Sequence, residues 1–319
     1  MAFIISLDFE LMWGMRDKKT VGTYGANILG VREAIPAMLR LFTQYQVKAS
    51  WATVGLLLAR TKSELRESLP QVRPTYANPE LSPYEGGYLD QLGGDEKSDP
   101  YHYGYSLAAR IVDTPGMELA SHTFSHYYCL ENGQTAEQFR SDLQASVAAC
   151  AKLGTRPSSI VFPRNQLNPE YLAICSEVGL HSYRGNESTW MHQAASGKEP
   201  ALKRFARLAD HYVSLSGANT FTVERDPITQ MMDVPSSRFL RPYSRKLAAF
   251  EPLRMKRITQ AMTVAAKTGE HFHLWWHPHN FGANTMLNLR NLESVLRHYA
   301  RLRDQDGFQS HTMGEIAVL

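Results

Sequence analysis

Short apolar, β-rich runs recur along the chain with helix-period segments between them, and this alternation limits the fold more than any other feature. The runs are FIISLDF, KASWATVG, MELASH, SSIVFPR, HSYRG, DVPSS and HFHLWWH, and the 3.6-residue repeat is clearest at 31–45, 135–153, 254–268 and 286–303. Strands that alternate with helices imply a mostly parallel sheet, because parallel pairing needs right-handed crossovers through helices. Seven or so such units favour a closed α/β barrel over an open doubly wound sheet. The 319 residues, 43% hydrophobic and 20% charged, suffice to bury one large core, so residues 1–319 read as a single domain. Residues 72–105, rich in Pro, Gly, Tyr and Asp, break the rhythm. An insertion of that length is either a functional loop closing over part of the site or a surface excursion.

The formal charge is only +3 and the basic residues are scattered, which argues against a nucleic-acid partner. No stretch approaches the roughly 20 apolar residues that a transmembrane helix needs. The opening MAFIISLDFELMWG has no basic residue ahead of its apolar run and meets Asp8 and Glu10 early, so it reads as a buried strand rather than an export signal. Cys129, Cys150 and Cys175 are odd in number and lack C-x-x-C spacing, which suggests neither a disulfide framework nor a thiolate zinc site. These features together point to the cytoplasm.

Asp8 and Glu10 stand two apart at the end of the first run, so their side chains share one face of a strand. Two carboxylates on an apolar strand ask for a cation, unless both leave the barrel and face water. SHTFSH places His122 and His126 four apart after the MELASH run, a spacing that puts both imidazoles on one side of a helical turn. Two imidazoles and a carboxylate with positions left open compose a hydrolytic metal site, although a lone H-x-x-x-H is also found in purely structural settings. FPRN brings Arg164 to another strand end, and HLWWHPHN brings His277 and His279 to the last. Strand ends of a barrel converge on one rim, where residues distant in sequence can meet. Arg164 and His277 each retain a plain alternative, as a structural ion-pair partner and as a core imidazole between tryptophans.

In their order and content these motifs resemble the polysaccharide deacetylases of the NodB-homology type, carbohydrate esterase family 4. SLDFE resembles the first family motif, SWATVG the strand that follows, SHTFSH the second motif, FPRN the third and WWHP the last. The resemblance runs from residue 3 to about 280 and implies a distorted (β/α) barrel of about seven strands. It further implies Asp8 as base, Glu10, His122 and His126 as ligands of one divalent metal, taken as zinc, Arg164 as the group orienting the base, and His277 as acid. The chain departs from the family in having Asp-Phe-Glu for adjacent aspartates and Asn165-Gln166 after the arginine. SYRGNESTW, with Arg184, Asn186 and Trp190, best matches the fourth motif.

In this reading Arg164 keeps Asp8 ionised to take a proton from water, and His277 protonates the leaving nitrogen, with His279 the alternative acid or a supporting residue. A backbone N–H after Arg164 is the expected oxyanion donor. Trp13 and Trp190 are expected to face the sugar, with Asn165, Arg184, Asn186 and His279 as further substrate contacts. Arg238 and Arg241 are candidates for a substrate phosphate or carboxylate. The substrate class is an N-acetylated sugar or surface-glycan precursor, of lipopolysaccharide or capsule by family analogy. Two alternatives stand beside it: hydrolysis of a cyclic, non-sugar amide, and glycan binding without turnover.

Overall fold

The computed structural model describes residues 1–187 and 201–319, the side chains of 201–205 excepted. Strand β1 (Ala2–Phe9) is flanked by β2 (Ala49–Thr53), and the sheet continues in parallel through β3 (Met117–Ser121), β4 (Ser159–Ile160) and β5 (Ser182–Tyr183). The short β6 (Glu224–Arg225) runs antiparallel to β7 (Met232–Asp233), which pairs in parallel with β5. Its continuation β8 (Arg238–Phe239) pairs instead with β9 (Phe272–Trp276), and β9 lies on the other edge of β1. Residues 232–240 thereby join the two ends of the sheet. Val234 N donates to Tyr183 O and Ser236 N to Gly185 O, after which Ser237 N donates to His273 O and Leu240 N to Trp275 O. With 232–240 counted as one position, the barrel has the seven strand positions expected from the seven apolar runs. It is distorted because β4, β5, β7 and β8 are each two residues long. The final strand, β10 (Gln309–His311), pairs with the first residues of β1 on the edge that β2 occupies further along.

Between the strands lie α1 (Val21–Tyr45), α2 (Lys62–Glu67), α3 (Tyr105–Val112), α4 (Ala136–Ala151), α5 (Leu172–Glu177) and α6 (Ala201–Asp210). The last third adds α7 (Glu251–Thr268), α8 (Thr285–Asp306) and α9 (Met313–Ile316). Helix α1 starts well before its apolar repeat becomes clear, because a reciprocal cap between Thr20 and Thr23 begins it. Its repeat is interrupted at Gly30, where a Cβ would lie 2.1 Å from the carbonyl oxygen of Gly282. That glycine lets the helix approach the loop after β9.

Strand alternation sorts the side chains into two layers. Phe3, Ile5 and Leu7 of β1, Trp51 of β2 and Leu274 of β9 point outward into the large core beneath the helices. Ala2, Ile4, Ala52, Ala120 and Val161 point into the barrel and are mostly small. Each large side chain fully buried in the outer layer contributes about 1.5–3 kcal/mol, so most of the apolar stabilisation lies outside the barrel and its interior can carry polar groups. The three cysteines are buried and unpaired, and no described helix is long and apolar enough to cross a membrane.

Up to Tyr105, where α3 begins, residues 72–105 fold as irregular chain with short 3-10 turns and pack on the loops that follow β1 and β3. Met12 N donates to Tyr101 O, the Trp13 indole N–H donates to His102 O at 2.8 Å, and Tyr128 N donates to the Tyr76 hydroxyl at 2.8 Å. In these contacts the segment buttresses the two loops from behind.

Candidate active site

Ser6 and Asp8 have the inward parity of Ile4, and Glu10 continues it past the end of β1. Asp8 and Glu10 are both 3% exposed, so neither faces water. Glu10 Oε2 lies 3.0 Å from His126 Nε2 and 3.5 Å from His122 Nε2. His122 Nδ1 donates to Val161 O at 2.8 Å, which leaves Nε2 as a bare lone pair aimed at the carboxylate. A lone pair facing an anion is unfavourable unless a cation lies between them or the ring takes a second proton. Burial pushes the neighbouring His126 down to about 4 against the pull of Glu10, which favours the neutral, ligating form of that ring.

The three donor atoms lie within 4.8 Å of one another. Ligands of a tetrahedral zinc with bonds of about 2.0–2.1 Å stand about 3.3 Å apart, so the donor set and its spacing fit a divalent cation. Burial pushes the Glu10 carboxyl up, but His277, His122 and His126 outweigh burial and hold it well below its ordinary value. Gly14 supports the arrangement sterically, since a Cβ there would lie 2.1 Å from Glu10 Cδ.

The guanidinium on Asp8 belongs to Arg184 and not to Arg164, contrary to the expectation from the third motif. Arg184 Nη1 donates to Asp8 Oδ1 at 2.7 Å and Nη2 to Oδ2 at 2.8 Å, both groups being buried. Burial raises the Asp8 carboxyl, but Arg184, His122 and His277 prevail and hold it below the ordinary carboxylate value. Arg184 also donates to Ser6 Oγ and to Asn165 Oδ1, and its guanidinium lies 4.2 Å from the Trp275 ring. Alternation explains the exchange. Ser182 and Arg184 share the inward face of β5, whereas Ile160, Phe162 and Arg164 share the outward parity of β4. Arg164 sits in a left-handed turn (φ 55°), pairs with Asp17 and lies over Tyr128 at 4.2 Å. The Tyr128 hydroxyl is 3.1 Å from His126 Nδ1, so Arg164 reaches the site through that ring.

His277 Nε2 lies 3.7 Å from Asp8 Oδ2 and 3.8 Å from Glu10 Oε1. The Asn280 amide faces His277 Nδ1 at 3.5 Å, which favours the proton on Nε2, the nitrogen turned to the carboxylates. His279 is buried, stacks on His277 with centroids 4.9 Å apart, and has Nδ1 at 3.8 Å from Glu10 Oε1.

Several other expectations are corrected. Trp13 is 1% exposed and bonded to the 72–105 segment, so it offers no face to a sugar. The backbone N–H of Asn165 donates to Phe162 O and that of Gln166 to Pro163 O, which occupies the expected oxyanion donors within the turn. Asn165 itself is tied to Arg184 and Asn186, the amide of Asn186 donating to Asn165 O, so all three form the barrel rim together. Arg238 is buried in an ion network with Asp210 and is closed to any substrate anion. Trp190 lies outside the described residues. Sequence reasoning missed Tyr128, Tyr76 and Gly14, none of which belongs to a motif. Arg184 was legible in principle from its parity with Ser182.

The polysaccharide deacetylase family matches residues 17–183, a span that contains His122, His126 and Arg164 and begins after Asp8 and Glu10. No curated protein matches the chain. Among solved structures, a Mycobacterium smegmatis protein assigned as a polysaccharide deacetylase is 12% identical with a TM-score of 0.60, covering 99% of this chain and 88% of its own. One from Pseudomonas aeruginosa PAO1 is 13% identical, with a TM-score of 0.56 and coverages of 99% and 89%. The Puue allantoinase is 11% identical, with a TM-score of 0.57 and the same coverages of 99% and 89%. At such identities the likeness is one of fold.

Proposed function

The chain belongs to the polysaccharide deacetylase family, and from that premise we propose that it hydrolyses the N-acetyl group of an amino sugar in a surface-glycan precursor, of lipopolysaccharide or capsule, in the cytoplasm. The observation that carries this reading is the buried Glu10, His122 and His126 triplet with a paired aspartate and a histidine beside it. Glu10, His122 and His126 hold one divalent cation, zinc in this reading, and when bound it supplies Lewis acidity toward the acetyl carbonyl and a water of lowered pKa.

The remaining steps belong to the chain's own side chains. Asp8, kept ionised by the two nitrogens of Arg184, takes the proton of the attacking water. His277, with its proton on Nε2, delivers it to the departing amine. Arg184 thus acts through Asp8 and does not touch the substrate. Trp275 and Phe239, partly exposed and packed on each other beside His277, provide the apolar surface for the sugar ring in place of Trp13. The Asn165 side chain, anchored to Arg184, keeps the turn after β4 in register with this wall.

The test is metal analysis of the purified protein followed by acetate release from free, nucleotide-linked and carrier-linked N-acetyl sugars. The His122→Ala/His126→Ala double variant should lose both metal and acetate release while remaining folded. Stoichiometric metal in that variant would remove the ligand assignment. A metal-loaded protein that releases no acetate from any of these sugars, yet opens a cyclic amide, would replace the deacetylase reading with the alternative.

A further inference from the structure

Behind the base, the barrel interior holds a histidine that belongs to no motif. His273 stands between Phe272 and Leu274, whose side chains join the outer core, so its ring points into the barrel, level with Ile4 of β1. It is fully buried. An imidazole among small apolar side chains is costly unless both ring nitrogens are satisfied. Here Nδ1 lies 3.2 Å from Val234 O and Nε2 lies 2.8 Å from Ser6 Oγ.

These partners fix the direction of each bond. A carbonyl oxygen can only accept, so Nδ1 carries the proton. Burial, reinforced by the Arg184 cation, pushes the ring down to about 3, which keeps it neutral and leaves Nε2 as a lone pair. The buried Ser6 hydroxyl then donates to Nε2, and its oxygen is turned to accept Arg184 Nη1–H at 3.1 Å. Each terminal nitrogen of a guanidinium carries two hydrogens. Nη1 directs its second to Asp8 Oδ1, and Nη2 directs its pair to Asp8 Oδ2 and Asn165 Oδ1. All four terminal hydrogens of Arg184 therefore have an acceptor. Arg184 Nε has none among the described residues, and the Trp275 face 4.2 Å from the guanidinium does not fix its rotation in the plane. Ser6 and Asn165 supply that restraint from either side of Asp8.

We infer that His273 and Ser6 are positioning residues for the hydrolysis. By accepting the Ser6 proton, His273 presents the Ser6 oxygen to Arg184, and the guanidinium is thereby held in the orientation that places Asp8 as base. Without that acceptor, nothing keeps the hydroxyl hydrogen turned away from the guanidinium. Neither residue touches the substrate, since both act through Arg184. The inference rests on the deacetylase reading for the role of Asp8.

Nitrogen NMR of the full chain tests the array without turnover. The His273 ring, assigned by its loss in His273→Gln, should be neutral with its proton on Nδ1, and a proton on Nε2 would overturn the array. The Arg184 guanidinium, assigned with Arg184→Lys, should show separate Nη signals that merge in Ser6→Ala and in His273→Met. Signals that stay separate in both variants would overturn it as well. Ser6→Ala removes a single buried oxygen, so it keeps the test open where His273→Met fails to fold. In acetate release from methyl N-acetylglucosaminide by the zinc-loaded chain, both variants should lose about 10–100-fold in kcat with KM and zinc stoichiometry little changed. His273→Gln, whose side-chain carbonyl can still accept from Ser6, should recover most of that loss. Equal kcat in His273→Gln and His273→Met would show that the ring only fills space and would overturn the positioning role. Should the native chain release no acetate, the deacetylase reading falls, and the Arg184 signals in Ser6→Ala still decide the array, merged signals supporting it and separate ones overturning it.

Discussion

Asp8 meets both terminal nitrogens of Arg184 inside the barrel, so each charge depends on the other. Removing one partner of such a buried pair leaves an uncompensated charge and costs about 3–5 kcal/mol. Arg184→Ala should therefore lower stability by that amount in chemical denaturation, and turnover should fall by about 10²–10⁴ while zinc stays bound, since the base would be protonated or misplaced. Arg164→Ala should cost far less turnover than Arg184→Ala, because Arg164 reaches the site only through the Tyr128 ring and does not touch Asp8. Equal losses in the two variants would return the positioning role to Arg164. Gly14 makes a separate prediction. Its backbone lies outside the left-handed region, so alanine is conformationally acceptable there, but the added methyl would meet Glu10 Cδ at 2.1 Å. Gly14→Ala should weaken zinc affinity by about 10–100-fold in a chelator competition, with little change in thermal stability. Native affinity in that variant would mean that Glu10 moves aside freely.

At the scale of elements, the end of α6, the first half of α7 and β8 are tied together by charge. Asp210 takes Arg238 and Arg257 and also accepts from Leu215 N, Ser216 N and the Ser216 hydroxyl. Burial alone would raise its carboxyl, but Arg238, Ser216 and Arg257 outweigh burial and hold it below the ordinary value. A folded-state value below the unfolded one gives stability that is fully present above the unfolded carboxylate range and is lost as pH falls through the folded value. Asp210→Asn should thus be destabilised by about 3–5 kcal/mol near neutral pH and should decline less steeply than the native protein below about pH 4. Parallel acid limbs in denaturation profiles would show that another group governs that decline. The elements also show what the sequence could convey. Strand positions were legible because period-two apolar runs are local, and the helices α4, α7 and α8 for the equivalent reason. The early start of α1 was hidden by glycines whose purpose is contact with a distant loop. Glu10, His122 and His126 could be grouped from ligand chemistry and strand-end position. The partner of Asp8 could not be found by motif order, because Arg164 and Arg184 both follow strands and only the inward or outward parity of each separates them.

Across the whole molecule the two ends of the barrel do different work. The strand ends after Asp8, Ser121 and Trp276 carry the candidate chemistry, while α9 packs against the inward residues toward the opposite end. Glu118, near the start of β3, accepts from Ser50 of β2, from Ser158 and Ser159 at β4 and from Gly314 N of α9, at 2.6–3.1 Å. Four donors from three parts of the chain meet at this residue, and Gly314 fits closely enough that a Cβ would lie 2.0 Å from Ser158 Oγ. Hydrogen bonds to a charged acceptor are among the stronger ones, and their donors here would be left with poor alternatives. Glu118→Ala should therefore cost about 2–4 kcal/mol, read as a lower denaturation midpoint. The β3 strand separates Glu118 from His122, and strain at one end of a packed barrel need not alter side chains at the other. Zinc stoichiometry and kcat/KM per folded molecule should accordingly stay within about twofold of native, since conserving the catalytic rim requires only that the barrel remain closed. A variant that keeps its stability but loses zinc would show that the Glu118 end sets the geometry of the ligand histidines through β3, and that the two ends are coupled rather than independent.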